Sequence, residues 1–350
     1  MQRISMPILF VAAITSVFMA CKKEPLSQAS PDRGIAKGGE VREGRECAEL
    51  VRLQCGMLSF NDQAHFQEVY DCLEAAYEAH LDAFEAQYGY LSEDDYNDTA
   101  DQLGFVDEQP LIDFEVVLGF QSYRKVFDNL ESQWLGSGMD LGNDPDDSRC
   151  VDDPIHGALL NSSGALMVGN VIYFLNDDCE WLYIQDGDCS DYNICIIDPP
   201  SCSGVKAWFA IEVGDKCYYN EESVAWDQSS NKRYKQRFRH ELTVFPYTSP
   251  TGALVSVQKC YRKRLGVWVR HRAQQSMTTN GTVFRSDFVR NISVAGYASD
   301  RRWRRVLRVE MSGPYQGLVD RFPYFQECGV QCSFTNPIGS RTIKLPPSCN

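Results

Sequence analysis

Residues 143–154, NDPDDSRCVDDP, set five aspartates, two prolines and a cysteine in twelve positions. Carboxylate oxygens at that density are the donor type calcium takes. An EF-hand also needs acidic side chains at alternate positions, a glycine at its turn and a closing glutamate, and no register from Asp140 or Asp144 supplies them. Aspartate before proline favours a turn, and aspartates cap and solvate loops, so the stretch reads first as a linker. Asp144, Asp146 and Asp147 are the calcium candidates, with DGDCSD (Asp186, Asp188, Asp191) a second set. No cofactor is implied.

Two other patterns carry catalytic chemistry elsewhere. Ser122 and Lys125 in SYRK have the SxxK spacing that sets a lysine one helical turn from a serine nucleophile, but no K-T-G completes such a site. The plain reading is a helix cap. His240 opens HELTVF without the second histidine of HExxH. His65 and His80 fall on a helical segment and His271 lies between arginines, all read as surface or half-buried. No GxSxG elbow, phosphate loop or dinucleotide fingerprint occurs, so no residue is assigned a catalytic role.

Fourteen cysteines are more than a reduced compartment carries, and disulfides are the default expectation. Cys21 aside, an odd number remains, so at least one thiol is free or pairs between chains. Cys179, Cys189, Cys195 and Cys202 crowd a loop-like segment that two bridges would staple. The rival, a four-thiolate zinc site, lacks the paired C-x2-C knuckles of zinc ribbons.

The strands CYRKRLGVWVRHR and DRRWRRVLR interleave arginine with tryptophan. Arginine grips phosphate, sulfate or carboxylate while tryptophan stacks, so Arg302, Arg304, Arg308 and Trp268 are candidate contacts for a polyanion, lipopolysaccharide phosphate or acidic glycan rather than nucleic acid. The competing reading is that these arginines face the acidic half of the chain. Residues 41–200 carry 34 Asp and Glu against 6 Lys and Arg, and residues 201–350 carry 11 against 23. Segments so opposite attract one another.

These groups need elements to position them. GRECAELVRLQC puts Cys47, Val51 and Cys55 on one face of a short helix. Phe66, Val69, Leu73, Tyr77, Leu81, Phe84 and Tyr88 recur at helical spacing, with Asn61 or Asp62 to cap and Gly89 to end. Cys72, beside that stripe, is placed to pair with Cys47 or Cys55. SYRKVFDNLESQWLGSG reads as a further helix capped by Ser122 and stopped at Gly136 or Gly138. The period then changes: ALMVGNVIYFL is a hairpin about Gly169-Asn170. From residue 205 on, short runs rich in Val, Ile, Tyr, Phe and Trp alternate with turn signals. In RRWRRVLRV the alternation sets Trp303, Arg305, Leu307 and Val309 on one face and Arg302, Arg304 and Arg308 on the other. The fold class expected is α+β, an acidic helical segment followed by an antiparallel β sandwich or partly closed barrel.

The first twenty residues, MQRISMPILFVAAITSVFMA, read as an export signal, with an apolar run too short and wrongly flanked for a span. Ala20 precedes Cys21 in a lipobox-like context from which Phe18 and Met19 depart. Acyl chains on Cys21 would moor the chain to a membrane, at about 0.8 kcal/mol per buried methylene. The division expected is a signal at 1–20, a flexible tether at 21–41, an acidic helical region at 42–155, and a disulfide-containing β domain at 156–350 with a cysteine-rich insert near 176–204.

FEVVLGFQSYRKVFDNLESQWL followed by DPDDSRCVDDPIHGALLNSSGALMVGNVIYFL resembles a group of uncharacterised, lipobox-bearing proteins of Bacteroidota. The resemblance is carried by Phe114, Glu115, Gly119, Phe120, Ser122, Arg124, Trp134, Leu135, Asp144, Pro145, Asp146, Asp153, Leu159, Leu160, Asn161, Gly169, Ile172 and Tyr173. A weaker likeness extends to GVWVRHR. Tyr123, Cys150, Gly157, Ala158 and Ala165 depart from the group's usual residues, and cysteine for an aromatic at 150 points to packing or a disulfide. The resemblance implies an outer-membrane lipoprotein, periplasm-facing or surface-exposed, with helices before a β domain and no established activity. It also implies O-glycan acceptance at Thr99 within Asp98-Thr99-Ala100. The leading expectation is a non-enzymatic envelope lipoprotein with a binding or scaffolding surface. The alternative is an exported hydrolase with a pocket between acidic helices and basic sheet, where carboxylates and a histidine meet.

Overall fold

The computed structural model describes residues 43–139, 141–177, 179, 181–185, 205–207, 220–228, 234–245, 251–285, 290–311, 325–327, 330–336 and 338–344. Cys21, the leader, the tether, Asp140, Asp186, Asp188, Asp191, Cys189, Cys195 and Cys202 lie outside them. In chain order the first elements are α1 (Gly44–Ala48), β1 (Arg52–Gln54), β2 (Met57–Phe60), α2 (Gln63–Tyr88), α3 (Glu93–Leu103), α4 (Gln109–Leu118), α5 (Tyr123–Gly136) and α6 (Pro154–Leu159). Strands follow: β3 (Ala165–Val168), β4 (Val171–Leu175), β5 (Trp181–Gln185), β6 (Val205–Ala207), β7 (Asn220–Gln228), β8 (Tyr234–Phe245), β9 (Thr251–Arg264) and β10 (Val267–Arg270). The last are β11 (Ala273–Arg285), β12 (Arg290–Arg302), β13 (Arg304–Met311), β14 (Phe325–Glu327), β15 (Gln331–Asn336) and β16 (Gly339–Lys344).

The stripe on α2 does what its spacing requires. Asp62 caps the helix by accepting from the His65 N–H, and Phe66, Val69, Leu73, Tyr77, Leu81 and Phe84 are buried. Ser122 caps α5 by accepting from Lys125 N–H, while its hydroxyl donates to Glu115 Oε1 at 2.5 Å. The SxxK pair is therefore a cap. The helix expected through Cys55 stops at Ala48 instead. Cys55 and Gly56 take positive φ (56° and 72°) and turn β1 into β2, so VRLQCGMLSF is a hairpin read at the wrong period. Gly169, at φ 63°, turns β3 into β4 as its hairpin signal requires.

The fold is α+β with three sheets, none closed into a barrel. One runs β1-β2-β3-β4-β5-β6, antiparallel apart from the parallel β2–β3 pair. The second runs β10-β9-β8-β7 with β13 also on β9, and the third β12-β11-β15-β16 with β14 also on β11. The second and third pack face to face over Phe238, Met277, Leu307, Phe334 and Ile343, each worth roughly 1.5–3 kcal/mol when fully buried. On its other face the second sheet meets the helices, and Ala253, Val255 and Val257 join Phe66, Leu73, Leu111 and Phe114 in one core.

Disulfides pin the helical layer. Cys47 bonds Cys72, tying α1 to α2. Cys150 bonds Cys179, which corrects the expectation that Cys179 pairs within its own cluster: the aspartate-rich linker is stapled to the turn after β4. Cys260 and Cys332 are free and buried.

Between helices and sheet the contact is ionic as well as apolar. Arg237, Lys259 and Arg304 lie side by side on neighbouring strands. Lys259 Nζ donates to Asp146 Oδ2 at 2.5 Å and to Glu131 Oε1 at 3.2 Å, with all three side chains at most 4 % exposed. Arg237 reaches Asp144 (2.6 Å), and Arg239 reaches Asp152 (2.9 Å). Arg304 pairs with Glu108, which Arg124 holds at 2.6 Å while also forking onto Glu115. The opposite charges of the two halves thus meet inside one chain. Truncating one partner leaves the others buried and uncompensated, so Lys259→Ala should lower unfolding free energy by about 3–5 kcal/mol. Urea melts of the two proteins check this, and a loss under about 1 kcal/mol would refute the closed network.

Candidate functional site

Two of the places where charged groups converge along this seam differ in access. The first, bounded by Asp146, Asp152, Arg237, Arg239 and Lys259, has no room for water. The second is a cleft of about 210 Å³ between α2 and the β12–β13 pair. Its helical wall is Tyr70, Glu74, Tyr77 and Glu78, one edge of the α2 stripe, with Asp153 at the start of α6; its sheet wall is Tyr297, Arg302, Arg304, Arg305 and Arg308.

Each arginine of that wall faces a carboxylate. Arg302 forks onto Glu78 and also meets Asp300, which Arg305 shares. Arg304 holds Glu108, and Arg308 lies 3.6 Å from Asp153. Burial alone would raise the Glu78 carboxyl, but the hydrogen bonds and charge of Arg302 prevail and lower it. Glu74 stands at the exposed rim, and its pKa is raised, first by the crowding that displaces water and then by the charge of Asp153.

Behind the helical wall Asp153 is fully engaged. One oxygen caps α6 by accepting from Ile155 and His156 N–H. The other accepts from Tyr70 OH at 2.9 Å and faces His156 Nδ1 at 3.0 Å. His156 has no exposed surface, and burial together with Arg308 pushes its pKa down to about 4. A neutral imidazole closed off in this way braces the wall and cannot reach a ligand.

Of the residues singled out from sequence, Arg302, Arg304 and Arg308 meet at the cleft. Trp268 does not: it is buried with Trp134, Met139 and Tyr261, under the ammonium groups of Lys235 and Lys263. Asp144 and Asp146 turn toward Arg237 and Lys259 rather than toward a shared cation site; Asp147, exposed, also meets Arg237. Asp144 also accepts from Asp146 N–H, the turn role of an aspartate before proline. Thr99 is half-buried on α3. His271, expected at the surface or half-buried, is buried against Glu93.

The alternation expected in RRWRRVLRV breaks at Trp303, a bend between β12 and β13, where the ring lies under Arg270 at 4.4 Å. Tyr70, Glu74, Glu78, His156 and Tyr297 were not marked by sequence reading, and Asp153 and Arg305 were named there only in the resembling segment and on a strand face. Tyr70, Glu74, Tyr77 and Glu78 at helical spacing were the available signal.

No protein-family model and no curated protein matches the chain. A solved structure of a DUF4848 family protein from Bacteroides thetaiotaomicron aligns at 11 % identity over 84 % of this chain and 100 % of that one, with a TM-score of 0.20. A likeness at that score establishes no residue correspondence.

His240, hydrogen-bonded to Ser256 between the sheets, is also pushed down to about 4 by burial. Below the ordinary histidine value of about 6.5 the unfolded chain binds protons that these two folded sites refuse. Stability therefore falls as pH drops from about 6.5 to about 4, by on the order of 2 kcal/mol per histidine at pH 5. Asp144, raised to about 6 by burial, binds its proton earlier in the folded state and partly offsets the loss. Urea midpoints taken between pH 7 and pH 5 should fall, and fall less steeply in His156→Gln. Equal slopes would mean that His156 titrates as it does in the unfolded chain.

Proposed function

We propose that this chain is an exported, lipid-anchored binding protein and that the cleft between α2 and β13 is its ligand seat. One observation carries the reading: this convergence of charged groups has an open volume, lined by tyrosines, arginines and carboxylates. Ligand sites are concave and bring a few polar groups together. Export and lipidation at Cys21 are supported by the leader, by the resemblance to envelope lipoproteins, and by disulfides at Cys47–Cys72 and Cys150–Cys179.

Binding is favoured over hydrolysis by the occupancy of the cleft's acids. A hydrolase needs an acid and a base that both reach substrate. Here Asp153 is spent on four donors, His156 is sealed and Glu78, though 45 % exposed, is held by the Arg302 fork, which leaves Glu74 as the lining carboxyl that no arginine of the wall holds. An extended polyanion-binding face is disfavoured as well, because the arginines proposed for it already hold carboxylates.

In a thermal-shift screen of glycans and small metabolites, a ligand at a hundredfold its Kd should stabilise the protein by about 2.7 kcal/mol. Glu74→Arg, which lays a long side chain across the rim from an exposed position, should abolish that shift while melting normally on its own. A shift that survives the substitution places the ligand elsewhere. Labelled fatty acid should enter the chain in its native host and be lost in Cys21→Ser; a label retained would place the anchor at another residue.

A further inference from the structure

The cleft's charge balance narrows its ligand, granted that it is a ligand seat. A wall of four arginines invites an anion at first sight. Each of the four faces a carboxylate, however: Arg302 and Arg305 share Asp300, Arg302 also forks onto Glu78, Arg304 holds Glu108, and Arg308 lies against Asp153. Glu74 adds a carboxyl at the rim. An anion entering here would displace or approach these carboxylates at short range, where like charges repel strongly in a site of low dielectric.

Paired guanidinium and carboxylate groups still have hydrogen-bonding capacity after their charges cancel. The Nε–H groups of Arg304 and Arg305 are themselves sealed from solvent, so the donor a ligand can reach is the part-exposed guanidinium of Arg305, 16 % exposed at the cleft. Glu74 has accepting oxygens at the rim. Donors and acceptors set close together, four guanidinium groups against five carboxyls, match vicinal hydroxyls, each of which both donates and accepts.

The aromatic groups fit the same ligand. Tyr297 leaves 69 % of its surface exposed at the cleft although it sits on a strand, where burying it would gain apolar stability. An exposed ring beside a polar cleft is a platform for the C–H face of a sugar. The volume of about 210 Å³ falls below the roughly 300 Å³ at which drug-sized pockets begin, so it holds one ring and leaves the rest of a chain outside.

We infer that the cleft binds a neutral pyranose unit of a glycan, its ring on Tyr297 and its hydroxyls between the Arg305 guanidinium and Glu74. The test uses the full mature chain in calorimetric titrations with neutral hexasaccharides of glucose, mannose and galactose, and with hexagalacturonate as the acidic counterpart. A neutral hexasaccharide should bind with an affinity insensitive to added salt, and Tyr297→Ala, at an exposed position, should weaken it about tenfold, the loss of one stacking contact of about 1.4 kcal/mol. If only hexagalacturonate binds, and salt weakens it, the neutral assignment is wrong while the cleft stands as a binding site. If Tyr297→Ala leaves neutral binding unchanged, the stacking geometry is wrong. If no sugar of either class binds and Glu74→Arg changes no response in the wider screen, the binding reading fails with it.

Discussion

The ion pairs between Lys259, Glu131 and Asp146 settle how the two halves of this molecule meet. All three groups are cut off from water, so each is tolerable only while the others are in place. Burial alone would raise both carboxyls, yet Lys259 and the neighbouring arginines prevail, holding Glu131 down to about 2 and Asp146 lower still. Such a network adds little net stability over an apolar seam of the same volume. What it does supply is register: a sheet displaced by two residues along β9 would set Val257 in the place of Lys259 against Asp146 and strand the charge. The aspartates of NDPDDSRCVDDP are the helical half's share of that register.

The same seam creates the cleft by running out. Where α5 and the aspartate turns lie on the sheet, acids and bases interlock and exclude water. Between α2 and β13, Glu74 and Tyr297 instead line an open volume of about 210 Å³. Asp153 joins the two regimes: its side chain caps α6, receives Tyr70 and braces His156, so the helical wall is rigid before any ligand arrives. Preorganisation of that kind reduces the ordering a ligand must impose, and it suits recognition better than a gate.

Much of the architecture was legible because its signals are local. The stripe on α2, the Ser122 cap, the Gly169-Asn170 turn and the long β runs each announce themselves within a few residues. Failures came where two local readings competed. Cys47, Val51 and Cys55 fit a helical face, but the Cys55-Gly56 turn and the pairing of Met57–Phe60 with β3 reward an extended chain more. The helix α3 was passed over because its sequence is almost wholly acidic and polar; its Ser92 cap and its contact with Arg262 and Arg264 hold it. The charge asymmetry foretold that the halves attract. It did not foretell which arginine meets which acid, since that depends on strand register between residues far apart in sequence, 93 positions for Arg237 and Asp144 and 224 for Arg302 and Glu78.

The least legible residue is also the most informative. His156 lies in DPIHGALL, a run with no motif, yet it is sealed against Asp153, Tyr70 and Phe66 with Arg308 beside it. A histidine with a carboxylate and a tyrosine at hand invites a catalytic reading. Its surroundings argue otherwise: the cap on α6 consumes one oxygen of Asp153, Tyr70 and the imidazole take the other, and the depressed pKa keeps the ring neutral where a base would be needed. The cluster works as a brace, with every polar atom of Asp153 turned inward. On the proposed binding reading, polar specificity at the cleft therefore falls to groups on its open side, Arg305 and Glu74, and stacking to the ring of Tyr297.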